Sequence, residues 1–64
     1  MQPTFQDIKD LFDQKAGGGS LKDFTIIAEL ERQGFAAGAI RNSLEVFINQ
    51  GLLICDQLGF IRIA

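Results

Sequence analysis

Residues 48–64 read INQGLLICDQLGFIRIA. A helical run of apolar and polar residues stops at Gly51. Two short apolar runs follow, LLIC at 52–55 and GFIRIA at 59–64, split by Asp56, Gln57 and Leu58. Glycine closes helices because it adopts left-handed dihedrals cheaply. Runs rich in Ile, Leu and Phe favour strands, so the pair reads as a hairpin over 52–55 and 60–63. Alternation puts Ile61 and Ile63 on one face and Phe60 and Arg62 on the other. A lone hairpin is marginal in water. This one must therefore pack on helices or pair with a third strand.

Upstream, the most regular pattern in the chain predicts a helix over 37–50. Ala37, Ile40, Leu44, Phe47 and Ile48 line one stripe that ends at Gly51. Gly38, Arg41, Asn42, Glu45, Val46 and Asn49 fall on the other side, with Val46 expected to be exposed. A second helix is expected over 22–33, stopped by Gly34 and followed by Phe35 as a core plug. On it Leu21, Phe24, Ile27, Ala28 and Glu31 share one side, and Ile26 and Leu30 lie nearly opposite. A helix apolar on two sides is expected between two others, with Ile26 packed on the first helix. That first helix spans 5–15, with Phe5, Ile8, Leu11 and Phe12 at helical spacing. Thr4 is its cap, with Asp7 three residues on and Pro3 outside.

GGGS at 17–20 reads as a turn rather than a flexible linker, because the apolar face of helix 1 needs something to pack on. After it, Ser20 and Leu21 form a short edge strand, or Ser20 caps helix 2 with Asp23 at the third position. The order helix, short strand, helix, helix, hairpin is that of a winged helix-turn-helix, mainly α with a small β-hairpin. The expectation is a single such domain over residues 1–64.

Bulk properties narrow the function. With 64 residues, 47% of them apolar, there is material for one compact core. A chain this small buries only about 60% of its unfolded surface. One cysteine cannot form an internal disulfide, so an intracellular location, cytoplasmic or nuclear, is the default expectation. No apolar run approaches the roughly 18 residues of a membrane span, and MQPTFQD lacks the basic start and apolar core of a secretion signal.

The residues that do chemistry are sparse. There is no His, Trp or Tyr, which leaves carboxylates or the thiol for general-base work. Cys55 has no His partner or second Cys nearby and is expected to be a buried structural thiol. Asp7, Asp10 and Asp13 spiral around helix 1 rather than converge, so they read as a solvated face and not a metal site. The glycines at 17–19 follow a helix, and no phosphate-cradle motif contains them. The expectation is no enzyme, no cofactor and no metal.

In a helix-turn-helix the third helix enters the major groove. Here Arg41, Asn42 and Asn49 are the candidate base readers and Arg62 the wing contact. The net charge is −2, the six Lys and Arg are scattered, and Glu45 opposes phosphate. Neutralising two phosphates gives a salt slope of only about −2. An apolar patch rimmed by charge marks a protein contact, and Glu45, Val46 and Phe60 are the candidates for one.

The stretch from Leu21 to Ile63, above all AIRNSLEVFINQGLLICDQLGFIRI, resembles the small winged-helix modules that end replication proteins. One is the terminal module of the middle subunit of the eukaryotic single-strand-binding protein RPA, the other the C-terminal module of MCM helicases. In the former, a helix begun by alanine or serine runs from an Ile-Lys pair to a glycine, as Ile40-Arg41 runs to Gly51 here, and a short wing follows. The latter has a similar acidic balance and clipped final strand. Only the apolar spacing and Gly51 match, so no partner-binding residue carries over, and the glycine run lies outside the resemblance.

The resemblance implies a module that docks a partner protein within a DNA replication, repair or other DNA-processing assembly, with weak auxiliary DNA contact. The alternative is a small dimeric transcriptional regulator reading DNA with helix 37–50. As a test of the inward stripe, Leu44→Ala is expected to cost roughly 2–5 kcal/mol. An unchanged thermal melt would refute the core assignment.

Overall fold

Thr4 starts the first helix in the computed structural model, which describes residues 1–64. The Asp7 N–H donates to Thr4 Oγ1 at 3.2 Å, and the Thr4 N–H donates to Asp7 Oδ2 at 2.8 Å. Two orphan donors are thereby satisfied at once. Pro3, just before the cap, is buried, as is Ile8 in the following turn. These are the two positions that a hydrophobic staple joins. The helix, α1, runs Phe5–Lys15 and buries Ile8, Leu11 and Phe12.

Residues 16–20 form a turn, in which the Gly19 N–H donates to the Ala16 carbonyl at 2.9 Å. A two-residue strand, β1 (Leu21–Lys22), leads into α2 (Asp23–Arg32), and α3 (Ala37–Asn49) follows. Strands β2 (Leu53–Cys55) and β3 (Phe60–Ile63) complete the chain. The sheet order is β1-β3-β2, antiparallel throughout. Leu21 pairs with Ile61 and Lys22 with Phe60 on one side of β3. Leu53 pairs with Ile63, Ile54 with Arg62 and Cys55 with Ile61 on the other. The fold is thus three helices and a three-stranded sheet with the hairpin as its wing.

Both inter-helical stops after α2 and α3 share one device. Gly34 and Gly51 adopt positive φ, 105° and 78°. Phe35 N–H donates back to the Leu30 carbonyl at 3.2 Å, and Leu52 N–H to the Phe47 carbonyl at 2.9 Å. Gly34 and Gly51 donate to Glu31 and Ile48 at 3.0 Å. This is the Schellman arrangement, which satisfies carbonyls the helix leaves open. Leu52 consequently lies outside β2: its N–H serves the helix, while its carbonyl accepts from the Ala64 N–H at 3.0 Å.

Nine side chains make the core: Ile8, Leu11 and Phe12 of α1, Ile26 and Leu30 of α2, Ile40 and Leu44 of α3, Leu53 of β2 and Ile61 of β3. Phe5 meets Phe47 edge to face at 5.5 Å at the margin. Phe35 packs against the core half-buried. The stripe on α3 and the face of Ile61 and Ile63 thus point inward, as their spacing predicts.

Two expectations need correction, and one buried residue was not anticipated. Helix 2 packs against both other helices, but its two apolar sides are not both buried. Its core side is Ile26 and Leu30, while Phe24 is 66% exposed, Ala28 is exposed and Ile27 is half-buried. Within residues 1–64 no other element covers Phe24 and Ala28. Ser20 does not cap α2, whose N-cap is Lys22 without a side-chain bond. The Asp23 N–H instead donates to the Gly59 carbonyl of the wing turn at 3.0 Å, so the tertiary contact replaces a local cap. Ser43 is 3% exposed although serine has no place in an apolar stripe. A small side chain fits a packed position without breaking the helix.

Gly51→Ala is expected to destabilise by about 1–2 kcal/mol, the cost of left-handed dihedrals for an L-residue. No atom lies within 4 Å of the added Cβ, so the loss is conformational. Thermal unfolding measures it, and a drop of roughly 4–8 °C per kcal/mol applies to domains of this size.

Candidate interaction groove

The outward side of α3 is where periodicity places it. Arg41, Asn42, Glu45, Val46 and Asn49 are all exposed. Helix α2 packs across α3, and its first turn is held near the sheet by the bond from Asp23 to Gly59. Because α2 turns only Ile26 and Leu30 to the core, Phe24 and Ile27 are left facing the gap toward α3. The result is an open groove of about 460 Å³ bordered by α2, α3 and the helix-facing side of the sheet. Its lining includes Phe24, Ile27, Leu44, Ile48 and Ile61, with Asp23, Arg41 and Glu45 supplying charge. The size is within the range of about 300–1,000 Å³ typical of binding clefts.

The charges at this groove are free. The ion pairs of the chain join Glu29 to Lys15 at 3.9 Å and to Arg32 at 3.6 Å. Asp23 Oδ1 accepts from the Phe24 N–H at 2.7 Å, a bond within its own helix turn. Arg41 and Glu45 lie one helical turn apart without an ion pair between them. Two carboxylates and one guanidinium therefore border an apolar floor.

The expected site residues divide between two surfaces. Arg41 and Glu45 line the groove. Asn42, Val46 and Asn49 share their helix face but not the groove lining. Phe60 and Arg62 project from the opposite face of the sheet, because Ile61 between them is buried. The expected grouping of Phe60 with Glu45 and Val46 is therefore not formed at the groove, nor that of Arg62 with Arg41. A strand alternates faces at every residue, so the wing's outward side chains cannot share a surface with those facing the helices.

Phe24, Asp23 and Ile27 were not among the sequence candidates. Phe24 and Ile27 were legible only as helix-packing residues. The signal was their angular separation from Ile26 and Leu30, which leaves them off the core side of α2. Cys55 is a further correction. It is exposed, not buried, and lines the groove. It faces the helices, as Leu53 and Ile61 do, but at the end of β2 where the space between sheet and helices opens. Its Sγ has only a long contact, 3.5 Å, to the Asp56 carbonyl.

No helix is long and apolar enough to cross a membrane, and no group of His, Cys, Asp or Glu side chains converges as a metal site. Comparison with protein-family models, curated proteins and solved structures finds no match for this chain.

The position of Cys55 gives a direct check. Ellman's reagent is expected to titrate one thiol per chain in the folded protein without denaturant. Reaction only after unfolding would mean that the end of β2 is covered.

Proposed function

We propose that this chain is a non-catalytic winged-helix interaction module that docks a protein partner in the groove between α2, α3 and the sheet. The groove carries the reading: an apolar floor, a Phe24 ring 66% exposed at its border, and free charges around it. A partner's apolar anchors would gain burial on the floor at about 25 cal/mol per Å². The three charges would set orientation and exclude mismatched partners. Exposed apolar surface ringed by charge supports protein contact over nucleic-acid contact.

The charge layout supports only an auxiliary role for DNA. A phosphate backbone approaching α3 meets Glu45 and Asp23 beside Arg41. Arg62 lies on the other sheet face, so the two arginines do not form one phosphate track. Asn42 and Asn49 remain available on α3 to base edges, with little electrostatic attraction behind them. The setting we propose is a DNA-processing assembly inside the cell, in cytoplasm or nucleus. That setting rests on the resemblance in element order and wing, an argument from fold.

Two measurements test this. Peptides selected by display on the folded chain should shift the NMR signals of Phe24, Ile27, Arg41 and Glu45, and Phe24→Ala should weaken their binding about thirtyfold, the threshold of an interface hot spot. DNA affinity should be weak and fall with salt at a slope no steeper than about −2. Micromolar duplex binding at physiological salt, lost on Arg41→Ala, would replace this reading with a DNA-reading regulator.

A further inference from the structure

The sheet has a second face, and it is not a polar one. Leu53 and Ile61 point to the core, so Leu52, Ile54, Phe60 and Arg62 point away from it. Ile54 and Phe60 are each 40% exposed and Leu52 is 38% exposed. An antiparallel sheet with one solvated face ordinarily places polar residues there. Here three of the outward positions on β2, its approach and β3 are large and apolar.

The polar groups on this face have one sign. Arg62 is the cross-strand partner of Ile54, and Lys22 that of Phe60. The three strands contain these two cations and no acid. Lys22 is partly engaged: its ammonium donates to the Leu58 carbonyl and lies 5.0 Å from the Phe60 ring centroid. Two carboxylates flank this face: Asp23, next to Lys22 in sequence, whose Oδ1 accepts from the Phe24 N–H, and Asp56, in the wing turn. Asp56 Oδ1 already accepts from the Leu58 N–H at 2.8 Å and the Phe60 N–H at 3.0 Å. Arg62 has no ion pair and no side-chain hydrogen bond. The missing complement is a carboxylate beside an apolar contact.

We propose that the outward sheet face is a second docking surface, separate from the groove, for an acidic, apolar segment of a partner protein. Its Leu-, Ile- or Phe-type side chains would lie on Ile54 and Phe60, and its Asp or Glu would pair with Arg62. The two surfaces have opposite charge balance. Asp23 and Glu45 against Arg41 repel an acidic segment from the groove, while Lys22 and Arg62 attract it to the sheet. One small module thus distinguishes two segments by sign. A second copy of this chain is a poorer occupant, because an isologous contact would set two cationic faces together. Nucleic acid is poorer as well, since apolar side chains around one free guanidinium give a phosphate backbone few donors.

The test uses the whole chain, labelled with ¹⁵N. Two synthetic peptide pools of roughly a dozen residues, long enough for one strand or helix to dock, are titrated in. One alternates Leu or Phe with Glu. The other replaces each Glu with Lys. The expected result is that only the acidic pool shifts the amides of Ile54, Phe60 and Arg62. Arg62→Glu should then weaken it about tenfold, as loss of a close charge pair does. Lys9→Glu, the same charge change on α1, should not weaken it. Phe60→Ala should also weaken it, and Ile54→Thr, which keeps a β-branched residue in the strand, replaces it if Phe60→Ala unfolds.

Equal binding of both pools, shifts confined to the groove, or no shift at millimolar peptide would overturn the proposal. So would displacement of these same amides by self-association in sedimentation, or by a DNA oligonucleotide at lower concentration than the acidic pool. The groove is read separately by the amides of Phe24, Ile27, Arg41 and Glu45, so the two surfaces fail independently.

Discussion

The hydrogen bond from the Leu52 N–H to the Phe47 carbonyl, with Gly51 at positive φ beneath it, is the constraint on which the rest of the fold depends. It ends α3 and reverses the chain within two residues, so Leu53 arrives already facing the core. The wing then returns to the middle of the sequence. Gly59 accepts from the first N–H of α2, and Lys22 reaches the Leu58 carbonyl. Helix α2, which has no side-chain cap, receives its first bond from the hairpin that α3 releases. Backbone polar groups need partners, and the Asp23 N–H finds one across the fold in the Gly59 carbonyl. This mutual dependence is why so short a chain holds a hairpin that would be marginal alone.

The same economy creates the surfaces. A chain of 64 residues can cover one side of each helix and one side of one sheet. Helix α2 has apolar residues on two sides and uses Ile26 and Leu30 inside. Phe24 and Ile27 remain toward the gap with α3. The sheet uses Leu53 and Ile61 inside and leaves Ile54 and Phe60 outside. Exposed single apolar residues are ordinary. What distinguishes these is their grouping on two separate surfaces, each with a charge balance of its own sign.

That distribution bears on how the chain would work in an assembly. Polar and charged groups at an interface contribute more to discrimination between partners than to raw affinity. On the reading proposed above, two small surfaces of opposite charge balance would each take a segment of a different sign. Helix α3 carries one cation, Arg41, whereas folds that hold DNA by its backbone neutralise several phosphates at once.

Periodicity was enough for the helices and the hairpin. The capping box at Thr4 and Asp7, the inward stripe from Ile40 to Ile48, the stops at Gly34 and Gly51 and the alternation at 60–63 are local signals. Each follows from dihedral preference or from the 3.6- and two-residue repeats. The outward face of α3 was equally legible. The groove was not, because Asp23 and Phe24 meet Arg41 and Glu45 only through packing of one helix on another. Nor was the exposure of Cys55 at the end of β2, or the burial of Ser43, which polarity argues against.

The sequence by itself therefore determined the order of the helices and hairpin, their bounds to within about one residue, and which side of α1, α3 and β3 turns inward. Tertiary structure alone decided which of the two apolar sides of α2 is buried, what caps that helix, and which charges border a common groove. The physical reason is range. Backbone dihedrals and side-chain period are set within a few residues, whereas burial and electrostatic neighbourhood depend on segments far apart in the chain competing for one small core.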